Sequence, residues 1–174
     1  MIDNRCWLIV CHDVPMQVRR AAPGDEPILR WLRLEAMADA PEAFGSTLER
    51  ERARPEDDWR QWIDPGPMWL LEDDHTPLGL SGLRVPAEGP VEIVSVWVHE
   101  QARGSGAAAV LVQAAVDWAE AAGRALVLRV TAGNDRALRF YERMGFELTG
   151  ATEVRERDGA IEREMRRHAR DADL

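Results

Sequence analysis

Residues 91–130 switch from a strand pattern to a helix pattern and back, with a basic glycine turn at the first switch. Residues 91–98 (Val-Glu-Ile-Val-Ser-Val-Trp-Val) are β-rich and predict a buried strand. Beyond the turn, Val110, Leu111, Val112, Ala115, Val116, Trp118 and Ala119 recur at helical spacing, and residues 125–131 predict a second strand. Strand, crossover helix and strand make a β-α-β unit whose two strands run parallel. The turn Arg103-Gly104-Ser105-Gly106-Ala107-Ala108 therefore stands at a helix N-terminus. There the first N–H groups lack helical partners and the helix dipole adds partial positive charge, while small residues let a ligand approach the backbone. Such a cradle fits a diphosphate.

The residues missing from this turn narrow the choice of diphosphate. No Gly-Lys-Ser/Thr ending follows, so no lysine reaches a β/γ-phosphate and no hydroxyl is placed to hold Mg²⁺. The three-glycine spacing of a dinucleotide fingerprint is also missing, and the next strand ends in Arg129-Val130-Thr131 rather than in an acidic residue. A diphosphate carried without metal or nicotinamide remains, and coenzyme A is one.

A length of 174 residues fits one domain with a real core. The longest apolar runs, Cys6 to Cys11 and Gly106 to Val112, fall far short of the ~20 residues that cross a bilayer, so no membrane partner is expected. The first residues lack the charged and apolar regions of a secretory signal, which predicts a cytoplasmic protein. Cys6 and Cys11 are the only cysteines, and no cluster has zinc spacing, so neither a disulfide scaffold nor a metal site is expected. A net charge of −9 argues against a nucleic-acid partner and mildly favours a cationic substrate.

The chain divides into residues 1–15, an N-terminal extension or an extra edge strand, a domain over 16–168, and a polar tail over 169–174. Asp25 is expected to cap a helix that runs towards Ala40-Pro41, with Pro27 in its first turn, and a second helical stretch covers 55–63. Residues 68–71 and 78–85 predict a hairpin, and Asn134 opens a helix that ends at Gly145. A final strand pair begins at Phe146 and Ile161. The fold class is α/β with a mixed sheet.

A few positions invite a chemical reading. Asn134 and Tyr141 are two helical turns apart and share a face, although Asn134 also suits a plain N-cap and Tyr141 a half-buried core aromatic. Strand alternation puts Glu92 on one face with Val94, Val96 and Val98, an apolar setting that suits a proton acceptor; the plainer reading is a surface carboxylate at a strand start. Glu35, Asp39 and Glu42 either recruit a cation or are solvated charge. The tryptophans read as core, with Trp31 or Trp62 as possible pocket lining, and the four histidines pair with no nucleophile.

Together these residues resemble the GNAT superfamily of N-acetyltransferases. The match is an Arg-x-x-Gly-x-Gly/Ala turn (Arg103, Gly106, Ala108) after an apolar strand, then Asn134-x-x-Ala137-x-x-x-Tyr141-x-x-x-Gly145-Phe146 after the next. The resemblance implies a mostly antiparallel twisted sheet with one central parallel β-α-β pair flanked by helices. It implies acetyl-CoA as co-substrate, no metal, and a small-molecule or peptide amine as acceptor in a ternary complex; homodimers are common in the family. The pyrophosphate would lie on residues 103–108 and the pantetheine arm beside Val96 and Val98. Asn134 would contact the cofactor and Tyr141 would protonate the departing thiolate. Glu92 sits where histone-type members carry their base. Members that acetylate ribosomal proteins carry a glutamate five residues before the Asn, and here Arg129 stands there, which counts against such a substrate. A GNAT-like domain that binds an acyl-CoA without transferring the acyl group is the alternative.

Overall fold

Local pattern is realised closely along most of the chain. The computed structural model describes residues 7–10, 15–63 and 66–168. The elements are β1 (Trp7–Val10), β2 (Pro15–Arg20), α1 (Glu26–Asp39), α2 (Leu48–Arg52), α3 (Glu56–Arg60), β3 (Met68–Asp73) and β4 (Thr76–Arg84). They continue with β5 (Val91–Val98), α4 (Ala107–Ala121), β6 (Leu126–Thr131), α5 (Asp135–Arg143), β7 (Glu147–Val154) and β8 (Ile161–Arg167). The β3–β4 hairpin turns on Asp74 and His75, both at positive φ (43° and 66°), as a tight two-residue hairpin turn demands. The polar tail over 169–174 lies outside the described residues.

The strands form one sheet in the order β1-β2-β3-β4-β5-β6-β8-β7. Every neighbouring pair is antiparallel except β5 and β6, the central parallel pair. Helix α4 covers one face with Leu111, Val112, Ala115, Val116 and Ala119, while Leu29, Leu32, Ala36 and Met37 of α1 cover the other against Leu70, Leu80 and Trp97. The two helices lie on opposite faces because a parallel pair needs a crossover, and both sides of so apolar a sheet need cover.

Two irregularities in β5 make the site. First, β5 pairs with β6 only at Val91–Leu126 and Glu92–Val127, so the strands separate beyond Glu92. Second, Ser95 takes φ +59°, and the register with β4 shifts between Leu80 and Gly82, which is a β-bulge. One extra residue exchanges the two faces of the strand. Val91, Ile93, Val96 and Val98 all join the α4 core, whereas Trp97 joins the α1 core. Unbroken alternation would have kept Val91, Ile93 and Trp97 together. The expected single face of Glu92, Val94, Val96 and Val98 is therefore split: the bulge leaves Glu92 opposite Val96 and Val98.

Asp25 occupies the N-cap position of α1, but its carboxylate does not cap the helix. It accepts hydrogen bonds from Arg19 Nη1 (2.7 Å) and Nη2 (2.9 Å) and from the Ala22 amide (2.8 Å). Arg19 also donates to Glu72 on β3, so the pair ties the start of α1 to the sheet. The Arg19 hydrogen bonds hold the Asp25 carboxyl below its ordinary 3.8. Trp97 and then Arg103 do the same for Asp39, and Ser46, Arg54 and Arg33 outweigh burial to hold Glu51 below its ordinary 4.5. A carboxylate with a depressed folded pKa stabilises the fold fully above its unfolded value and loses that stability as pH falls through the folded one. Urea midpoints should therefore be flat from neutral pH down to about 5 and fall below about pH 4. A midpoint unchanged at pH 3 would remove these pairs from the stability account.

Candidate active site

At the start of α4, Gly104 and Gly106 take φ +83° and +90°, a left-handed backbone that turns the chain sharply into the helix. A Cβ placed on either glycine would meet no protein atom within 4 Å, so both face open space. The amide of Arg103 donates to Glu100 O (3.1 Å) and that of Ala107 to Ser105 Oγ (3.3 Å). Those of Gly104, Ser105, Gly106 and Ala108 have no hydrogen-bond partner among the described residues. Four open donors at a helix N-terminus make an anion cradle without any charged side chain. The Arg103 guanidinium is spent elsewhere: Nε donates to Val98 O (3.0 Å), and Nη2 pairs with Asp39. Arg103 thus clamps the cradle to the C-terminus of α1, with both its amide and its guanidinium engaged by protein acceptors.

The separation of β5 from β6 opens a cavity of about 730 Å³. Its walls include Glu92, Val94, Ser95 and Val96 of β5, Leu128 to Thr131 of β6, and Asn134 and Tyr141. The His99 amide donates to Leu78 O on β4 (2.7 Å), so alternation turns the amides of Val98 and Val96 the other way, towards the gap that β6 leaves. Tyr141 packs edge-on against Phe140 and Phe146, at 5.0 and 5.9 Å between ring centroids. Burial raises its phenol pKa well above the ordinary 10, so it stays protonated. Gly145, at φ +81°, reverses the chain after α5 and lets the Phe146 amide reach Tyr141 O (3.0 Å), which fixes the turn carrying the phenol.

A model of the acetyltransferase (GNAT) family matches residues 31–146 of this sequence, two thirds of the chain. The chain belongs to the GNAT family. This GNAT chain is 34% identical over 132 residues to a mycothiol acetyltransferase of Thermomonospora curvata, covering 74% of the chain and 43% of that protein. It spans less than half the length of the mycothiol acetyltransferases it matches. It is 30% identical over 139 residues to the peptidyl-lysine N-acetyltransferase YjaB of Escherichia coli, covering 78% of the chain and 83% of that protein. Among solved structures, yncA of Salmonella typhimurium, a putative acetyltransferase with acetyl-CoA, superposes with TM-score 0.73 at 18% identity, covering 91% and 96% of the two chains. A spermidine N-acetyltransferase of Vibrio cholerae with CoA and spermine gives 0.70 at 17%, covering 88% and 95%.

Within this GNAT fold, Glu92, Val96, Asn134 and Tyr141 share one cavity, and the 103–108 turn sits at the head of the crossover helix. Asn134 does cap α5, its Oδ1 accepting from the Ala137 amide (3.1 Å), and it lines the cavity as well. Glu92 differs from the expectation. Its carboxylate accepts from Arg84 Nη1 (2.7 Å) and from Arg129 Nη1, so two guanidinium groups replace the apolar wall that unbroken alternation predicts. Asp39 is not free to recruit a cation, because it accepts from Trp97 Nε1 (2.9 Å) and pairs with Arg103. Trp62 lines the cavity, whereas Trp31 is 42% exposed on the outer face of α1.

The sequence reading passed over Arg33 and Glu51, which are 7% and 1% exposed and both line the cavity. A signal was present: Leu29, Leu32, Arg33, Ala36 and Met37 follow the i, i+3, i+4, i+7, i+8 rule, so an arginine stands inside the apolar stripe of α1. Ala43, Phe44, Gly45 and Ser46 form the neighbouring wall, and the segment 41–46 is tied to the β7–β8 loop. Arg155 donates to Glu42 O (2.9 Å), and Arg157 donates to Pro41 O (2.9 Å) and Ser46 O (2.6 Å).

Proposed function

We propose that this GNAT domain transfers an acetyl group from acetyl-CoA to an amine by direct attack within a ternary complex. One observation carries the reading: where β5 and β6 part, Val96 and Tyr141 line one cavity, and the loop leaving β5 leads to a helix N-terminus with four open donors. The amides of Gly104, Ser105, Gly106 and Ala108 would hold the pyrophosphate, and Asn134 would offer its side-chain amide N–H groups to the cofactor. The Val96 and Val98 amides would hold the pantetheine arm and polarise the thioester carbonyl, a role worth about 3 kcal/mol for a preorganised donor when charge develops on oxygen.

The attacking nitrogen must arrive unprotonated, and an aliphatic amine is mostly ammonium at pH 7. Glu92 is the β5 carboxylate in the cavity, and Arg84, whose side chain is 70% exposed, is the partner able to swing off it into water. With that contact open, Glu92 takes the amine proton. Tyr141, kept neutral by burial, gives its proton to the leaving sulfur; the same desolvation disfavours release of a free thiolate, so the sulfur needs a proton as the bond breaks. Glu92→Gln should lower kcat/KM about 100-fold at neutral pH, with the deficit shrinking as alkaline pH deprotonates the amine in solution. A deficit of the same size at every pH would assign Glu92 to the ion-pair network alone.

The test is CoA-thiol release by the purified protein with acetyl-CoA across grouped amines: amino acids, polyamines, aminoglycosides, and peptides with free N-termini or lysines. The proposal expects release that depends on one group of amines. Tight CoA binding without release from any group would contradict it.

A further inference from the structure

The acceptor cavity carries four arginines and four glutamates, yet their charge is unevenly placed. On the β5–β6 side, Glu92 and Glu153 match Arg84 and Arg129. Glu162 is held by Arg155. On the α1 side, one carboxylate serves two guanidinium groups: Glu51 accepts from Arg54 at 3.2 and 3.3 Å and faces Arg33 Nη2 at 3.5 Å. The trio, with Arg33 and Glu51 buried and Arg54 partly exposed, keeps one uncompensated positive charge.

Arg33 is the under-used member. Five N–H donors project from a guanidinium, and this one makes a 3.4 Å contact to Ser95 Oγ and the 3.5 Å contact to Glu51. Its Nε is buried with no partner. The rings of Phe44 (4.7 Å) and Trp62 (5.3 Å) flank the group and fix its plane. Burial draws its pKa below the ordinary 12.5, and the Glu51 charge only partly opposes this. A cation so buried is costly unless an anion completes it.

Building on the acetyl-transfer reading, we infer that Arg33, supported by Arg54, binds a carboxylate of the acceptor, which is therefore an amino acid or a similarly short amino-carboxylate. A planar guanidinium matches a carboxylate bidentately. One excess positive charge balances one carboxylate, whereas a phosphate monoester would bring ~1.5 to 2 negative charges. Arg33 reaches the bulged Ser95, whose neighbours Val94 and Val96 line the same cavity. The carboxylate is thus held close to the thioester position, which fits an amine only a few bonds away and disfavours a polyamine or a lysine side chain. Here the local charge overrides the overall −9, which favours cations.

Two readouts separate this inference from the reading it rests on. Standard L-amino acids, each beside its carboxamide and its decarboxylated amine, are titrated calorimetrically into CoA-saturated protein, and thiol release is measured for the same panel with acetyl-CoA. At least one amino acid should bind and react, with both of its analogues weaker on the order of 100-fold. Arg33→Lys keeps a charge beside Glu51 but loses the fork, so it should shrink the acid-over-amide ratio in both readouts while the protein stays folded. Equal use of acids and amides overturns the inference while leaving acetyl transfer standing. So does a folded Arg33→Lys that keeps the full ratio, or a preference for aminoalkyl phosphates. Selective acid binding with no thiol release supports the carboxylate site and defeats the transfer reading.

Discussion

Gly106→Asp lowers CoA affinity at least ~100-fold while the protein stays folded. Gly106 is the N-cap of α4 at φ +90°, and its amide is one of the four open donors of the cradle. An aspartate tolerates the left-handed region better than most residues, at about 1–2 kcal/mol, and a negative charge at a helix N-terminus is favourable. A Cβ there meets no protein atom within 4 Å. The protein therefore accommodates the side chain, and the diphosphate does not, because a carboxylate would occupy and charge the space it needs. Titration calorimetry should show CoA affinity lowered at least ~100-fold, the effect of losing about 3 kcal/mol. Gly106→Ala, which adds the strain without the charge, should lose far less. CoA affinity unchanged in Gly106→Asp would refute the cradle.

Tyr141→Phe separates chemistry from binding. The phenol ring packs between Phe140 and Phe146, contacts that phenylalanine retains. Tyr141 is the only tyrosine of the chain, so no second phenol can substitute. General acid catalysis contributes typically 10²–10⁴-fold, so kcat should fall by roughly that factor while CoA affinity stays within about twofold. Acyl donors with a more acidic thiol leaving group would mask the loss, so the comparison uses CoA thioesters alone. Turnover equal to wild type would remove Tyr141 from the mechanism.

The parts of this protein legible in its sequence are those set by local rules. The helix α4 and the strands beside it follow from periodicity, and the cradle follows from glycines placed where a strand gives way to a helix. The Asn134–Tyr141 spacing likewise puts both residues in one cavity. The rest depends on events without a local mark. Nothing in Val94-Ser95-Val96 announces a bulge, because the positive φ of Ser95 is imposed by the pairing with β4 and by the departure of β6. Missing it misassigned the face of Glu92 and hid Arg84 and Arg129 as its partners. Asp25 and Asp39 show the same limit: each suits a local role, and each is claimed by an arginine, Arg19 or Arg103, brought close only by the fold. Arg33 was readable as an exception within an apolar stripe, yet its meaning depends on Glu51 and Arg54 across the α1–α2 packing.

The central claim is that acetyl passes from CoA straight to an amine in the gap between β5 and β6. Intact-mass spectrometry of a single turnover tests it most directly, with the protein, acetyl-CoA and the reacting amine from the screen sampled through the time course. The account predicts that the amine gains one acetyl group for each CoA thiol released, and that the protein mass never changes. An acetylated protein that forms and decays ahead of the acetylated amine would contradict it.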